Sequence, residues 1–323
     1  MRWSFGSYVT AALFEASGEA VFALGDGQVR WESGAGADAH AGAILCAARH
    51  PKAPGVISGG DDGRLVWSGG DGGQSLAETS PSRWIESLAV VPGQSLVAFG
   101  AGREARILDL ADPGFARTLV HDHSVADLAF EPRGRRLAVA SYGGAALWYA
   151  RIEVQKPAML RWAGSHIGLA FSPDGRFLIS STQENALHGW RLADARDMRM
   201  GGYPAKVRSL AFLAGGRWLA TSGARGVVVW PFAGADGPMG KEAMEIGFEA
   251  DSLVARVAAE PAGGLIVAGL VDGRIWAGDV GGGATRSVKA ETGPAITALA
   301  LGGGRIAWGD EEGGAGVEPV PAP

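Results

Sequence analysis

The chain has 323 residues, 47% hydrophobic and 20% charged, which gives it the apolar mass for a sizeable core and excludes a disordered polymer. Its net charge of −5 comes from 29 basic and 34 acidic residues mixed along the sequence, so it lacks the basic excess of a nucleic-acid binder. One cysteine, Cys46, excludes an internal disulfide and fits a reducing compartment.

The first residues do not read as an export signal, because Ser4, Ser7 and Thr10 interrupt the apolar stretch and it runs into Glu15. Trp3 and Phe5 instead alternate with polar neighbours, which predicts a half-buried strand over residues 2–6. A unit of about 40 residues then recurs. Pro51, Pro92, Pro132 and Pro173 follow one another at 41, 40 and 41 residues, and Pro261 falls in the same slot. The units begin near Val9, Ile44, Ile85, Val125, His166, Val207, Val254 and Ile296.

Each unit predicts three antiparallel strands. In the fifth, Leu169 to Phe171 start a first strand, and Ser172-Pro173-Asp174-Gly175 forms a tight turn. A second strand covers Phe177 to Ser181 and a third Leu187 to Leu192, leaving no room for a helix. The 15 to 20 residues between units can supply a fourth strand, such as Pro157 to Ala163. The sequence stops just past the third strand of unit eight, so residues 2–6 are expected to complete that last sheet, with 318–323 a short tail. The whole chain, 1–323, reads as one all-β domain. No apolar run reaches the roughly 18 residues that a membrane helix needs. The expectation is a soluble, cytoplasmic monomer.

LAFSPDGR in unit five, LAFEPRGRR in unit four and the third-strand residues Trp31, Trp67, Trp148, Trp190 and Trp230 resemble the WD-repeat family over essentially the whole chain. The resemblance implies a closed β-propeller of four-stranded antiparallel blades. The unit count gives eight blades, with seven the alternative. It also implies a stapling network of a His before the first strand, a Ser or Thr on the second, an Asp in the next turn and the Trp. Only unit two offers all four, as His40, Ser58, Asp62 and Trp67. Unit four keeps His121 and Trp148 but has Tyr142 and Gly143 where the Asp belongs, and no Trp-Asp dipeptide occurs.

Regular recurrence assigns the tryptophans to packing. His121 and His123 flank Asp122, but no third metal ligand follows at a diagnostic spacing. His166 stands where the other units carry Val or Ile, and reads as a buried histidine with a partner. Cys46 lies among apolar first-strand residues and reads as inert. No nucleophile elbow, phosphate loop or His-Glu-x-x-His motif is present, so no cofactor, metal or catalytic role is expected.

What varies between units is the segment entering the first strand and the second turn. In WD-repeat propellers these share one rim, the face most often used to bind proteins and peptides. Units three to six would place Trp84, Glu86, Arg103, Tyr142, Glu184, Lys206, Arg208 and Arg225 there. The reading is a non-enzymatic scaffold for a protein or peptide partner, binding neither nucleic acid nor membrane. The competing reading is a propeller enzyme or small-ligand binder using the central channel, as in metal-dependent lactonases. First-strand residues there are mostly small or apolar, with Asp127 and Arg256 the exceptions.

Overall fold

In a computed structural model the chain is built almost wholly of antiparallel strands. All residues are described except 70, 71, 80–82, 250, 283 and 323. Among the described residues the strands form seven sheets, six of four strands and one of six. We number them I to VII by their first strands: Val9–Phe14, Ile44–Arg49, Ile85–Val90, Asp127–Phe130, Leu210–Leu213, Val254–Ala259 and Ile296–Gly302.

The count of eight blades is therefore corrected to seven. Units four and five, expected as separate blades, both belong to the six-stranded sheet IV. Two long strands cause this, Arg136–Tyr149 and Ala158–Phe171, each of 14 residues. Tyr142 was expected in a second turn but lies inside the first of them. Tyr142 pairs with Ser165 and Gly144 with Arg161, so the ladder shifts register there and carries on. Gly143 and Gly144, at φ 88° and 134°, let the backbone bend without leaving extended structure.

The local turn chemistry follows the sequence. In Ser172-Pro173-Asp174-Gly175 the Gly175 N–H donates to the Ser172 carbonyl at 2.8 Å, and Gly175 takes φ 71°. Ser172 Oγ donates to Asp174 at 2.6 Å and accepts the Phe177 N–H at 2.9 Å, tying the turn to the second strand.

The chain divides into two compact units, Leu13–Phe171 and Met1–Ala12 with Ser172–Pro323. In the former, the core fills the space between consecutive sheets. Ile57 and Leu65 of sheet II pack with Ile85, Val97 and Phe99 of sheet III, and Ile107 of sheet III packs with Leu128 and Val139 of sheet IV. In the latter, Val227 and Val229 of sheet V meet Ile266 of sheet VI, while Val267 and Ile275 meet Ile296 and Ile306 of sheet VII.

Sheet VII is completed from the other end of the sequence. Strand Arg2–Ser4 pairs antiparallel with Gly314–Pro319, Trp3 opposite Ala315. The Met1 ammonium donates to the Val317 carbonyl at 2.9 Å, and the Val317 N–H returns a bond to Met1. The expected tail from 318 begins inside this last strand, and Pro323 lies outside the described residues.

Candidate functional site

In sheets II, IV, VI and VII the segment entering the first strand is hydrogen-bonded to a second turn, which puts the two side by side. Asp61 N–H donates to the Ala43 carbonyl, Val125 N–H to Gly102, Val271 N–H to Leu253 and Glu311 N–H to Ala295, all at 2.8–3.1 Å. In sheets II, III, VI and VII the pairing shifts just inside the first strand, leaving Leu45, Glu86, Ala255 and Thr297 unpaired. These are β-bulges, which bend the strand and redirect the extra residue. The variable position that includes Glu86 in the sequence is thus a bulge in four sheets.

All eight proposed rim residues are exposed. In the unit Leu13–Phe171, Trp84 precedes the buried Ile85, and Arg103 occupies the turn whose carbonyl accepts the His121 N–H at 2.9 Å. Tyr142 stands edge-on to His123, with ring centres 5.3 Å apart. In the other unit, Glu184 and Arg225 lie in second turns, while Lys206 and Arg208 line a common cavity.

Three of the four staple residues of sheet II are joined. His40 bridges Asp62 through Nδ1 and Ser58 through Nε2, both at 2.9 Å. Burial works to raise the Asp62 pKa, but the His40 bond and the N–H groups of Arg64 and Ala41 together hold it below the ordinary range. Trp67 does not join. Its indole N–H donates to the Pro54 carbonyl at 3.0 Å, and its ring lies 4.6 Å from that of His50. The cause is register: Ile57 faces Trp67 and Ser58 faces Val66, so Ser58 and Trp67 point to opposite faces.

Sheet V holds a staple that the sequence reading missed. Trp230 Nε1 donates to the Tyr203 hydroxyl, which meets Thr221 Oγ1, both at 2.7 Å. Here Leu219 faces Trp230 and Thr221 faces Val228, so the Trp and Thr share a face. The available signal was position, since Tyr203 stands as far ahead of Val207 as His40 does of Ile44. His121 of sheet IV packs edge-on to Trp148 at 5.7 Å, and its Nε2 has no hydrogen-bond partner among the described residues.

The cavity lined by Lys206 and Arg208 has a volume of about 440 Å³ and also takes in Tyr8, Arg256, Thr297 and Glu311. Local structure positions the two arginines. The Arg208 and Ser209 N–H groups both donate to Ser222 Oγ, at 3.0 and 3.1 Å, fixing where the Arg208 side chain departs. Ser209 Oγ in turn accepts the Val257 N–H at 2.8 Å. Arg256 is half-buried in the first strand of sheet VI. Its Nε donates to the Thr297 carbonyl at 2.7 Å and its Nη1 to the Ala255 carbonyl at 3.1 Å. Both acceptors belong to bulge residues. Burial pulls the Arg256 pKa below the ordinary value, Tyr8 opposes this, and nearby Arg208 adds to it. The one lining carboxylate, Glu311, accepts the Ala295 N–H at 3.1 Å.

Among the described residues, no group of three His, Cys, Asp or Glu is placed to hold a metal ion. His166 is fully buried, with Nε2 3.2 Å from the Trp162 carbonyl. Cys46 donates to the Ile85 carbonyl at 3.3 Å, and burial pushes its thiol up to about 12. Asp127 accepts the Leu169 N–H at 2.7 Å, and burial raises it to about 6. No helix is long and apolar enough to cross a membrane among the described residues.

No protein-family model and no curated protein matches the chain. Solved structures do resemble it. The computationally designed Ika8 protein aligns over 98% of this chain and 97% of its own, with a TM-score of 0.78 at 19% identity. The β-propeller domain of Cps50 (Swd1) from Myceliophteria thermophila aligns over 86% of this chain and 96% of its own, with a TM-score of 0.67 at 16% identity. At these identities the likeness shows the fold, a β-propeller of antiparallel sheets.

Proposed function

We propose that the chain is a WD-repeat-type propeller serving as a non-enzymatic platform, which holds a protein or peptide partner against the edge formed by its entry segments and second turns. Trp84 carries this reading. It is 60% exposed one residue ahead of the fully buried Ile85, and the second turn of the same sheet presents the exposed Arg103. A large ring held in water forgoes about 25 cal/mol per Å² of apolar burial, a cost that contact with a partner recovers. Trp, Tyr and Arg are also the residue types that dominate interface energetics.

The test is affinity capture from cells of the source organism with the native chain and with the Trp84→Ala, Arg208→Ala double variant, read by mass spectrometry. Proteins retained by the native chain should be lost from the variant while its melting temperature stays unchanged. Identical capture by the two chains would remove both residues from the interface.

A further inference from the structure

We propose that the cavity lined by Lys206, Arg208 and Arg256 is a site for a phosphate monoester dianion. Three cations and one carboxylate line it, a net charge of +2, and every residue involved lies within the compact unit Met1–Ala12 with Ser172–Pro323. Among the described residues, none of the three cations forms an ion pair, whereas arginines elsewhere, such as Arg274 and Arg191, are paired with carboxylates at short range. Placing Arg208 near a half-buried Arg256 costs electrostatic free energy. An anion seated between them attracts both guanidiniums and offsets that repulsion.

Geometry selects the kind of anion. The bulge carbonyls of Thr297 and Ala255 take two of the five Arg256 N–H donors, locking the guanidinium plane and leaving three donors. A planar fork already held in place suits bidentate contact with phosphate oxygens. Tyr8 and Thr297 line the same space, although Thr297 Oγ1 already donates to the Val9 carbonyl at 2.7 Å. A single carboxylate would satisfy half of the net charge. A phosphate monoester carries about −1.5 to −2 at pH 7 and presents three acceptor oxygens, so it meets both the charge and the donor count.

The inference goes beyond the platform reading and does not need it, because a free phosphate monoester and a phosphorylated side chain offer the same group. The test is calorimetric titration of the full chain at low ionic strength with phenyl phosphate, with benzoate and with a short phosphoserine peptide. Phenyl phosphate should bind at least about tenfold more tightly than benzoate, and weaken as pH falls below about 6, where the second phosphate proton returns. Arg256→Gln should cost about tenfold or more, as expected for lost charge-assisted hydrogen bonds, and Arg135→Gln, outside the cavity, should cost nothing.

Should Arg256→Gln fail to fold, Lys206→Gln with Arg208→Gln keeps the buried strand intact and should show the same loss. Tighter binding of the phosphoserine peptide than of phenyl phosphate assigns the group to a protein; equal affinity assigns it to a free monoester. Equal binding of phenyl phosphate and benzoate, no saturable heat with either phosphate, or full affinity in the folded variants would overturn the site.

Discussion

The Cγ2 atom of Ile296 lies 2.5 Å from where a Cβ on Gly269 would sit. The same relation holds between Ile85 and Gly59 at 2.4 Å, Val125 and Gly100 at 2.7 Å, and Val9 and Gly309 at 2.3 Å. A branched residue at or just before the start of one first strand thus fills the space left by a second-strand glycine of another sheet. Gly269→Ala should overpack this contact and destabilise the chain by about 1–3 kcal/mol, read as a lower denaturation midpoint. Adding Ile296→Ala should recover part of that loss, since the methyl group then has room. A midpoint unchanged by Gly269→Ala would show that the contact is slack.

Tyr203→Phe should destabilise sheet V by about 1–3 kcal/mol, because it strips the acceptor from the Trp230 indole and leaves Thr221 Oγ1 only its bond to the Val228 carbonyl. Burial pushes the Tyr203 phenol up to about 12, so this loss should be the same from pH 6 to 9. Thermal melts across that range provide the check, and a pH-dependent difference would point to a different cause.

Asp127 gives stability an unusual slope with pH. Burial lifts its native pKa from 3.8 to about 6, against the pull of the Leu128 and Leu169 N–H groups. Between those values the folded chain holds a proton that the unfolded chain has released. Rising pH therefore withdraws stability from this site, by up to about 3 kcal/mol once pH exceeds 6. Asp127→Asn keeps an acceptor for Leu169 and carries no charge, so it should be more stable than the native chain above pH 7 by about 1–3 kcal/mol. The two should converge below pH 4. A constant offset over the whole range would detach the effect from ionisation.

Much of this was legible in the sequence because it is local. Proline and glycine placement announces first turns such as Ser172 to Gly175, alternation announces the strand around Trp3, and Trp31, Trp67 and Trp230 mark third strands. The blade count was not legible, since it turns on whether the backbone at Tyr142 to Gly144 makes a turn or continues a strand. Nor was the position of Trp67. A difference of one residue in hairpin register decides whether a Trp meets its Ser or Thr, and the repeat spacing is identical in sheets II and V. For the basic cavity, Lys206 and Arg208 read as partner-binding rim residues and Arg256 as a first-strand exception. Only the bulge at Thr297, which frees a carbonyl for Arg256, joins them.

The pairing of Arg2–Ser4 with Gly314–Pro319 has a consequence for how the molecule is made. Arg2–Ser4 must wait until a strand about 300 residues further along has been synthesised before these hydrogen bonds exist. Bringing together partners 316 positions apart adds only modest entropy over a shorter loop, because that cost grows with the logarithm of length. The delay is one of time rather than of free energy. Until that partner strand is made, the open margin of Arg2–Ser4 is a place for a chaperone to bind, or for a neighbouring nascent chain to pair.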